Sequence, residues 1–229
     1  MPLLGSGALT FWHDVDAEAE ADFVEWHVRE HIPERLGMPG FLRGRRYVAV
    51  DGEPRFFNFY EANEVGAFSD PVYLARLDDP TPWTRRVVAH FRRTSRTICS
   101  VVASLGRGEG GFVETVRLGP AGGQEGFGTS LAKLAATVLP SPGIVAVHVL
   151  EGTRAGSGQA SAEKALRGEP DTAEDWVLLI EAVDADSLKA SASDAAATAR
   201  LLEAGARPDP LRGIYRLQFG LGRAELDAG

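Results

Sequence analysis

The sequence predicts an α+β fold made of two consecutive ferredoxin-like units. The order strand, helix, strand, strand, helix, strand occurs over residues 8–105 and again, with similar spacing, over residues 111–222. A glycine-rich stretch at 106–111 separates the two copies and is typical of a linker. The chain of 229 residues is long enough for two units of about 110 residues each. The split βαβ order gives each unit an antiparallel four-stranded sheet with both helices on one face.

Local signals define the elements of the first copy. Asp14 or Asp16 can cap the first helix, which is acidic at its start and basic at its end, and Pro33 should kink it. Pro71 should interrupt the second helix. The predicted strands are 8–12, 41–50, 55–61 and 97–105, and the predicted helices are 17–36 and 64–77.

The last connection of the first copy is longer than its counterpart and predicts an extra helix over 83–96. An added element at a loop position is more often tied to function than to core packing. The predicted units are therefore 1–107, which carries the site and the inserted helix, and 108–229, which is structural.

The second copy repeats the same order of strands and helices with fewer polar residues. Its predicted strands are 112–118, 143–150, 176–183 and 214–221, and its predicted helices are 126–139 and 186–204. A glycine- and charge-rich connection, 151–175, is expected to be a mobile loop. The free face of each sheet is apolar and needs a cover, so the two sheets should face each other in one chain. This is the dimeric α/β-barrel architecture within a single polypeptide.

Composition excludes several functional classes. The formal net charge of -8 argues against general affinity for nucleic acid or an anionic membrane. Cys99 is the one cysteine, so no intramolecular disulfide forms, and its apolar surroundings indicate a buried structural thiol. No run approaches 18 apolar residues, and the N-terminus lacks a basic segment followed by an apolar one. The expected location is the cytoplasm.

The end of the first helix carries the main candidate site. Trp26, His27 and Glu30 share one side of the helix, and His31 lies one turn after His27. The matching helix of the second copy has no histidine, tryptophan or acid. His27, Glu30 and His31 also spell the His-x-x-Glu-His zinc signature. A metalloprotease needs a third ligand on a larger scaffold, so we predict no metal. The alternative is that these polar residues only cap the end of the core.

The strands and the predicted insertion supply further polar groups. Arg46 lies on the face of its strand opposite Arg43 and Arg45, and Asn58 and Tyr60 lie opposite Phe57 and Phe59. The insertion places Arg86, His90 and Arg93 on one stripe when it is read as a helix. Such a stripe suits a small anion, and a surface helix paired with nearby acids is the alternative.

These motifs resemble a known family. The run from Trp26 to Leu36, followed by Pro39-Gly40-Phe41 and Arg45-Arg46-Tyr47, is similar to the EthD-like members of the dimeric α/β-barrel superfamily. The resemblance implies that His31 is the family-type histidine and that Arg46 and Tyr47 face it. His27 stands where many relatives have tyrosine. Relatives include cofactor-free monooxygenases, muconolactone isomerases, aldoxime dehydratases and haem-degrading enzymes, so the resemblance does not name a substrate.

The leading functional hypothesis is a small-molecule-binding protein or cofactor-free enzyme acting on a small aromatic or lactone-like acid. The pocket should lie between the first sheet and its helices. His31, His27 and Tyr47 are the candidate catalytic residues, and His31 beside Glu30 and Glu34 is expected to gain a proton easily. The candidate binding residues are Trp26, Glu30, Arg46, Phe57, Phe59, Arg86 and His90.

Two alternatives remain open at this point. One is a non-catalytic binding or scaffolding protein, in which the motif packs the helix end against the Pro39-Gly40 turn. The other is haem binding with His27, His31 or His90 as axial ligand. The exposed helical faces also leave a homodimer open.

Overall fold

Eight antiparallel strands close into one barrel in the computed structural model, which describes residues 3–123, 125–153, 160–168 and 170–226. The strands are β1 Gly7–Val15, β2 Phe41–Gly52, β3 Phe56–Ala62, β4 Phe91–Gly106, β5 Phe112–Leu118, β6 Ile144–Thr153, β7 Trp176–Ala182 and β8 Leu211–Gly222. Their order around the barrel is β1-β3-β2-β8-β5-β7-β6-β4.

The two halves are joined along two seams of the barrel. Strands β4-β1-β3-β2 form the first half-sheet and β8-β5-β7-β6 form the second. At one seam β2 pairs with β8, with Arg45 opposite Gly220; at the other β4 pairs with β6, with Cys99 opposite Gly152. Each seam therefore joins the second strand of one half to the fourth strand of the other. The predicted α+β fold, with antiparallel ferredoxin-like units forming a barrel within one chain, is confirmed.

Helices cover the outside of each half-sheet. They are α1 Glu20–Trp26, α2 Ile32–Leu36, α3 Pro71–Asp78, α4 Pro82–Val88, α5 Phe127–Val138, α6 Ala162–Ala165, α7 Ala185–Ser193, α8 Thr198–Glu203 and α9 Arg223–Leu226. A π-helical turn, His27–His31, joins α1 to α2. Asp70 and Thr81 cap α3 and α4 with their side chains, and a proline opens each of these helices. In the described part of the chain no helix has both the length and the apolar character to cross a membrane.

Side chains alternate between the barrel interior and the helical layers. Trp12, Tyr47, Phe57, Phe59 and Tyr215 fill the interior together with smaller apolar residues. Outside the first half-sheet two apolar clusters lie side by side. One is built around Phe41, Phe68 and Tyr73, and the other around Phe23, Trp26 and Phe91. A cavity lies where these two clusters meet.

Three sequence-based predictions of local structure were wrong. The inserted helix ends at Val88 instead of continuing to residue 96, and β4 begins at Phe91. The predicted helix 186–204 is two helices, because the chain breaks between Ser193 and Thr198. The connection 151–175 begins as strand and contains α6; its residues 154–159 and 169 lie outside the described residues.

Candidate functional site

The helix that carries His27 and His31 widens at those residues. The amide of Ile32 donates to the carbonyl of His27, five residues earlier, which defines a π-helical turn. Pro33 has no amide hydrogen, and regular α-helix resumes with it in the first turn of α2. The wider turn brings the rings of His27 and His31 into a stack, with centroids 5.5 Å apart and planes 19° from parallel. Single π-helical turns occur frequently at functional sites.

Both histidines line a cavity between the first half-sheet and its helices. Its volume is about 30 Å³, which is room for roughly one or two water molecules. The lining residues are Leu9, Phe11, Trp26, His27, His31, Arg35, Phe41, Asn58, Tyr60, Tyr73, Phe91, Arg96, Glu163 and Arg167. The wall is thus aromatic, with two imidazoles and three guanidinium groups.

Both imidazoles are neutral near pH 7. Burial lowers the pKa of His27 well below its ordinary value, and the charge of Arg46 lowers it further. Burial likewise lowers the pKa of His31, with Arg35 as the next cause. The expectation that His31 gains a proton easily is therefore wrong. Glu34 is engaged by Arg35 and Arg76, and Glu30 accepts hydrogen bonds from two threonines.

Each imidazole has a buried Nδ1 atom without a partner in the described part of the chain. His27 Nε2 lies 2.9 Å from the Tyr60 hydroxyl, and burial raises the pKa of Tyr60, so the phenol stays protonated. Nδ1 of His27 and Nδ1 of His31 are buried and have no hydrogen-bond partner among the described residues. Buried polar atoms are normally satisfied, so such atoms in a cavity wall indicate a site for a ligand or water.

Trp26 is fixed in the wall by a short chain of hydrogen bonds. Its Nε1 donates to Thr84 Oγ1 at 3.2 Å, and Thr84 in turn donates to Glu30 at 3.2 Å. Thr81 donates to the same carboxylate oxygen at 2.5 Å. The Trp26 ring then packs on His31, with centroids 4.2 Å apart. Glu30 therefore acts behind the wall, where it positions Trp26, and does not line the cavity.

A second histidine system, which the sequence reasoning missed, supports Asn58. His13 Nδ1 is 3.2 Å from the Asp14 carbonyl, and its Nε2 is 2.9 Å from Asn58 Nδ2. Burial lowers the pKa of His13 to about 3. The neutral ring therefore donates from Nδ1 and accepts from Asn58, which leaves Asn58 Oδ1 buried and without a partner. The signal in the sequence was weak, because His13 simply follows the aromatic strand residues Phe11 and Trp12.

The second half of the chain closes one wall of the cavity. Glu163 on α6 accepts a bond of 2.7 Å from Arg35 and one of 3.4 Å from Arg167. Arg167 also binds Asp171 through Nη1 and lies over the Phe11 ring, 4.8 Å from its centroid. The cavity thus extends beyond the unit 1–107, which the sequence predicted to carry the site. The polar composition of the connection 151–175 gave no reason to expect that its charged residues are buried.

Tyr47, Phe57 and Phe59 do not line the cavity. They face the barrel interior, because they alternate with the outward-facing Arg46, Asn58 and Tyr60.

In the interior, Arg45 lies beside Tyr47 and Phe59 and bridges two carboxylates. It donates to Glu61 at 3.1 Å and to Glu181 at 3.0 Å, so the buried charges compensate one another. Burial raises the pKa of Tyr47, which places a neutral phenol inside the barrel. The expected catalytic pairing of Tyr47 with His31 is therefore wrong.

Three further predicted binding residues also lie elsewhere. Arg46 is buried on the outer face but donates to Gln218 and to the Val24 carbonyl. Arg86 is exposed and binds Asp22. His90 lies in the turn before β4 and contacts Asp16 at 3.0 Å. The predicted stripe of Arg86, His90 and Arg93 does not form, because the helix ends before His90.

The cavity in its closed form does not hold a haem group. Its volume of about 30 Å³ admits no porphyrin, and His27 Nε2 is engaged by Tyr60. His90 lies outside the cavity. The carboxylates of Asp16 and Glu18 lie close to His90, but Asp16 already accepts a bond of 2.5 Å from Arg92. That exposed group gives no indication of a bound metal.

Comparison with known proteins identifies the fold. No family model and no curated protein matches the chain. An anthrone oxidase-like protein is similar in structure, with a TM-score of 0.68 and 14% identity, over 96% of this chain and 94% of that one. A candidate monooxygenase of Fusobacterium nucleatum subsp. nucleatum matches with a TM-score of 0.59 and 11% identity, over 96% of each chain. A mutant chlorite dismutase of Candidatus Nitrospira defluvii matches with a TM-score of 0.53 and 9% identity, over 96% and 93%. The chain thus has the dimeric α/β-barrel fold.

Proposed function

We propose that this chain binds a small aromatic molecule in the cavity beside Trp26 and that His31 and His27 transfer a proton to or from it. The observation that carries the proposal is the pair of neutral, stacked imidazoles, each with a buried Nδ1 that has no partner among the residues that the structure describes. The π-helical turn that presents them adds support, as does the aromatic wall.

Neutral imidazole is the form that can accept a proton. If His27 Nε2–H donates to the Tyr60 oxygen, Nδ1 of His27 has a free lone pair. Removing a proton from an acidic C–H or O–H group leaves an anion on the bound molecule and an imidazolium on the protein. In a dry cavity these two charges stabilise each other, and this offsets the burial that lowers the pKa of both histidines.

Proton removal is the step shared by isomerases and by monooxygenases that work without a cofactor, as the EthD-like resemblance implies. The structural neighbours named as an anthrone oxidase-like protein and a candidate monooxygenase support an aromatic substrate with an acidic hydrogen. Anthrone, whose methylene group lies between two aromatic rings, is therefore a suitable first probe.

Access to the cavity requires its wall to move. A volume of about 30 Å³ is too small for an aromatic ring, so the closed form described here must open before a ligand binds. The wall formed by α6 is the part suited to move. Helix α6 has four residues, and polar contacts through Glu163 hold it in place.

Deuterium exchange tests the proposal directly. In D₂O, the protein should accelerate loss of the methylene proton signal of anthrone in NMR spectra recorded without oxygen. His31→Gln should reduce that acceleration by at least about tenfold, since positioned acid–base groups contribute about 10² to 10⁴ in rate. His90→Gln is the matched control because His90 lies outside the cavity. Binding of anthrone without any acceleration would leave a binding protein and refute the catalytic part.

A further inference from the structure

We infer that the cavity is a two-ended site for a planar aromatic acid, in which Arg96 binds the acidic group and Asn58 Oδ1 accepts a hydrogen bond at the other end. The inference rests on the proposed function, because it assigns the substrate class of the same cavity. It differs from the sequence-based expectation, which gave the anion to Arg46 or Arg86.

Arg96 is the cavity arginine that has no carboxylate at ion-pair distance among the described residues, and the charge of Asp171 reaches it only at longer range. Arg35 pairs with Glu34 and Glu163, and Arg167 pairs with Glu163 and Asp171. Arg96 is 5% exposed, and its guanidinium donates to the Tyr73 hydroxyl at 2.8 Å. In the described part of the chain it forms no ion pair with a carboxylate.

A buried cation without an anion is costly, and charges inside proteins are normally paired. The guanidinium group also offers more donors than the single Tyr73 oxygen can satisfy. A carboxylate or phenolate on the bound molecule would supply the missing charge and accept a second hydrogen bond. The Tyr73 hydroxyl holds the guanidinium in position for this contact.

The register of the sheet sets the distance between the two ends. Phe11 lies opposite Arg96 on β4 and opposite Asn58 on β3, so the three residues form one row across neighbouring strands. Neighbouring strands are about 4.8 Å apart, which separates the Arg96 and Asn58 backbones by roughly 10 Å. Phe11 lies between them, and its ring, over which Arg167 lies in the closed form, becomes an apolar surface for an aromatic ring once the wall beside α6 moves. The distance between the two ends therefore suits a molecule about as long as two fused aromatic rings.

The far end of the row is an acceptor in a fixed orientation. Because His13 Nε2 receives the hydrogen bond from Asn58 Nδ2, the amide oxygen of Asn58 is the atom that remains without a partner. A hydroxyl or N–H group on the ligand would satisfy it. The expected ligand thus carries an anion at one end and a donor at the other.

Calorimetric titration at pH 7 with three probes tests the inference. The probes are 2-naphthoate, its neutral isostere 2-naphthamide, and 6-hydroxy-2-naphthoate. The wild-type protein should bind naphthoate at least about tenfold more tightly than naphthamide, because hydrogen bonds to ionised groups are roughly twice as strong as neutral ones and a buried charge is paired. The added hydroxyl should tighten binding further by about threefold or more.

Variants assign each preference to its residue. Arg96→Gln should bring the naphthoate-to-naphthamide ratio close to one, and Tyr73→Phe should reduce it. Asn58→Leu should remove the gain from the hydroxyl without changing the acid preference. Arg46→Gln is the matched control, since Arg46 is buried but lies outside the cavity, and it should keep both preferences.

Different results would refute the two-ended site and the aromatic cavity of the proposed function. If the wild-type protein binds naphthamide as tightly as naphthoate, the two-ended site is overturned while the aromatic cavity stands. That comparison needs no variant, so it holds even if Arg96→Gln does not fold. If neither compound binds, the aromatic cavity of the proposed function is overturned, and the inference falls with it.

Discussion

Acid should destabilise this protein at a pH where its carboxylates are still ionised. Burial lowers the pKa of His13 to about 3, against an ordinary value of 6.5, and lowers the pKa of His27 and His31 in the same direction. The folded state holds these rings neutral, whereas the unfolded chain protonates them below about pH 6.5. The unfolded state therefore binds more protons in this window, and the free energy of unfolding falls as the pH falls.

The size of the effect follows from the His13 values. Between pH 6.5 and 5, His13 is protonated in the unfolded chain but stays neutral in the folded protein. This difference lowers the free energy of unfolding by about 2 kcal/mol, at about 1.36 kcal/mol per pH unit. His27 and His31 add to this loss. Asp171 and Glu181 have lowered pKa values in the folded state, against ordinary values of 3.8 and 4.5. Their contribution to the stability of the folded state is therefore lost mainly below pH 5. Burial raises the pKa of Glu114, which favours the folded state as the pH falls, so the histidine contribution is isolated by comparison with a variant.

Urea unfolding at pH 7 and at pH 5 measures the loss, and His13→Gln identifies its source. The difference between the two pH values should be about 2 kcal/mol smaller in the variant, because its side chain does not titrate. Any pH-independent cost of the substitution cancels in this difference. A wild-type free energy of unfolding that is equal at pH 7 and pH 5 would refute the assignment of neutral buried histidines.

Three further substitutions test other parts of the structure. Glu163→Gln should loosen α6, because Arg35 and Arg167 lose the carboxylate that they share. The amide of Ala165 should then exchange with solvent at least about tenfold faster, as measured by NMR. Unchanged exchange would contradict the role of Glu163 in closing the cavity. Gly44→Ala should cost about 1–3 kcal/mol in urea unfolding, because the new methyl carbon would lie 3.1 Å from both the Tyr60 ring and Ile32; wild-type stability would show that this packing is loose. Arg45→Met should lower the free energy of unfolding by about 3–5 kcal/mol, since buried Glu181 loses its arginine and Glu61 keeps only Arg43 among the described cations; a loss below about 1 kcal/mol would show that Arg45 does not compensate these charges.

The fold was predictable because strand alternation and element order are local properties of the sequence. The strand over 112–118 lies where the apolar alternation indicates it, and the antiparallel barrel follows from two sheets that each need a cover. Residues 91–96 were predicted as helix because Arg92 and Arg93 suit a helical face as well as an exposed strand. Burial and strand register distinguish a strand from a helix at these residues, and a short stretch of sequence reveals neither.

The site was predictable only in part. Trp26, His27 and His31 stand out as an aromatic and polar helix end, and the structure brings them together in one cavity. Glu163 and Arg167 reach the same cavity from more than 120 residues further along the chain, through contacts that no local pattern reveals. Tyr47 was assigned to the site by the family resemblance, whereas strand alternation places it on the face opposite Arg46, in the barrel interior.

A crystal structure of the complex with 6-hydroxy-2-naphthoate would test the central claim most directly. We expect density for the ring over Phe11, with the carboxylate at Arg96, the hydroxyl at Asn58 and the rings of His27 and His31 in contact with the ligand. Density in the open cleft lined by Arg93, Arg117 and Arg212 at the barrel mouth, with the cavity beside Trp26 unchanged, would contradict it.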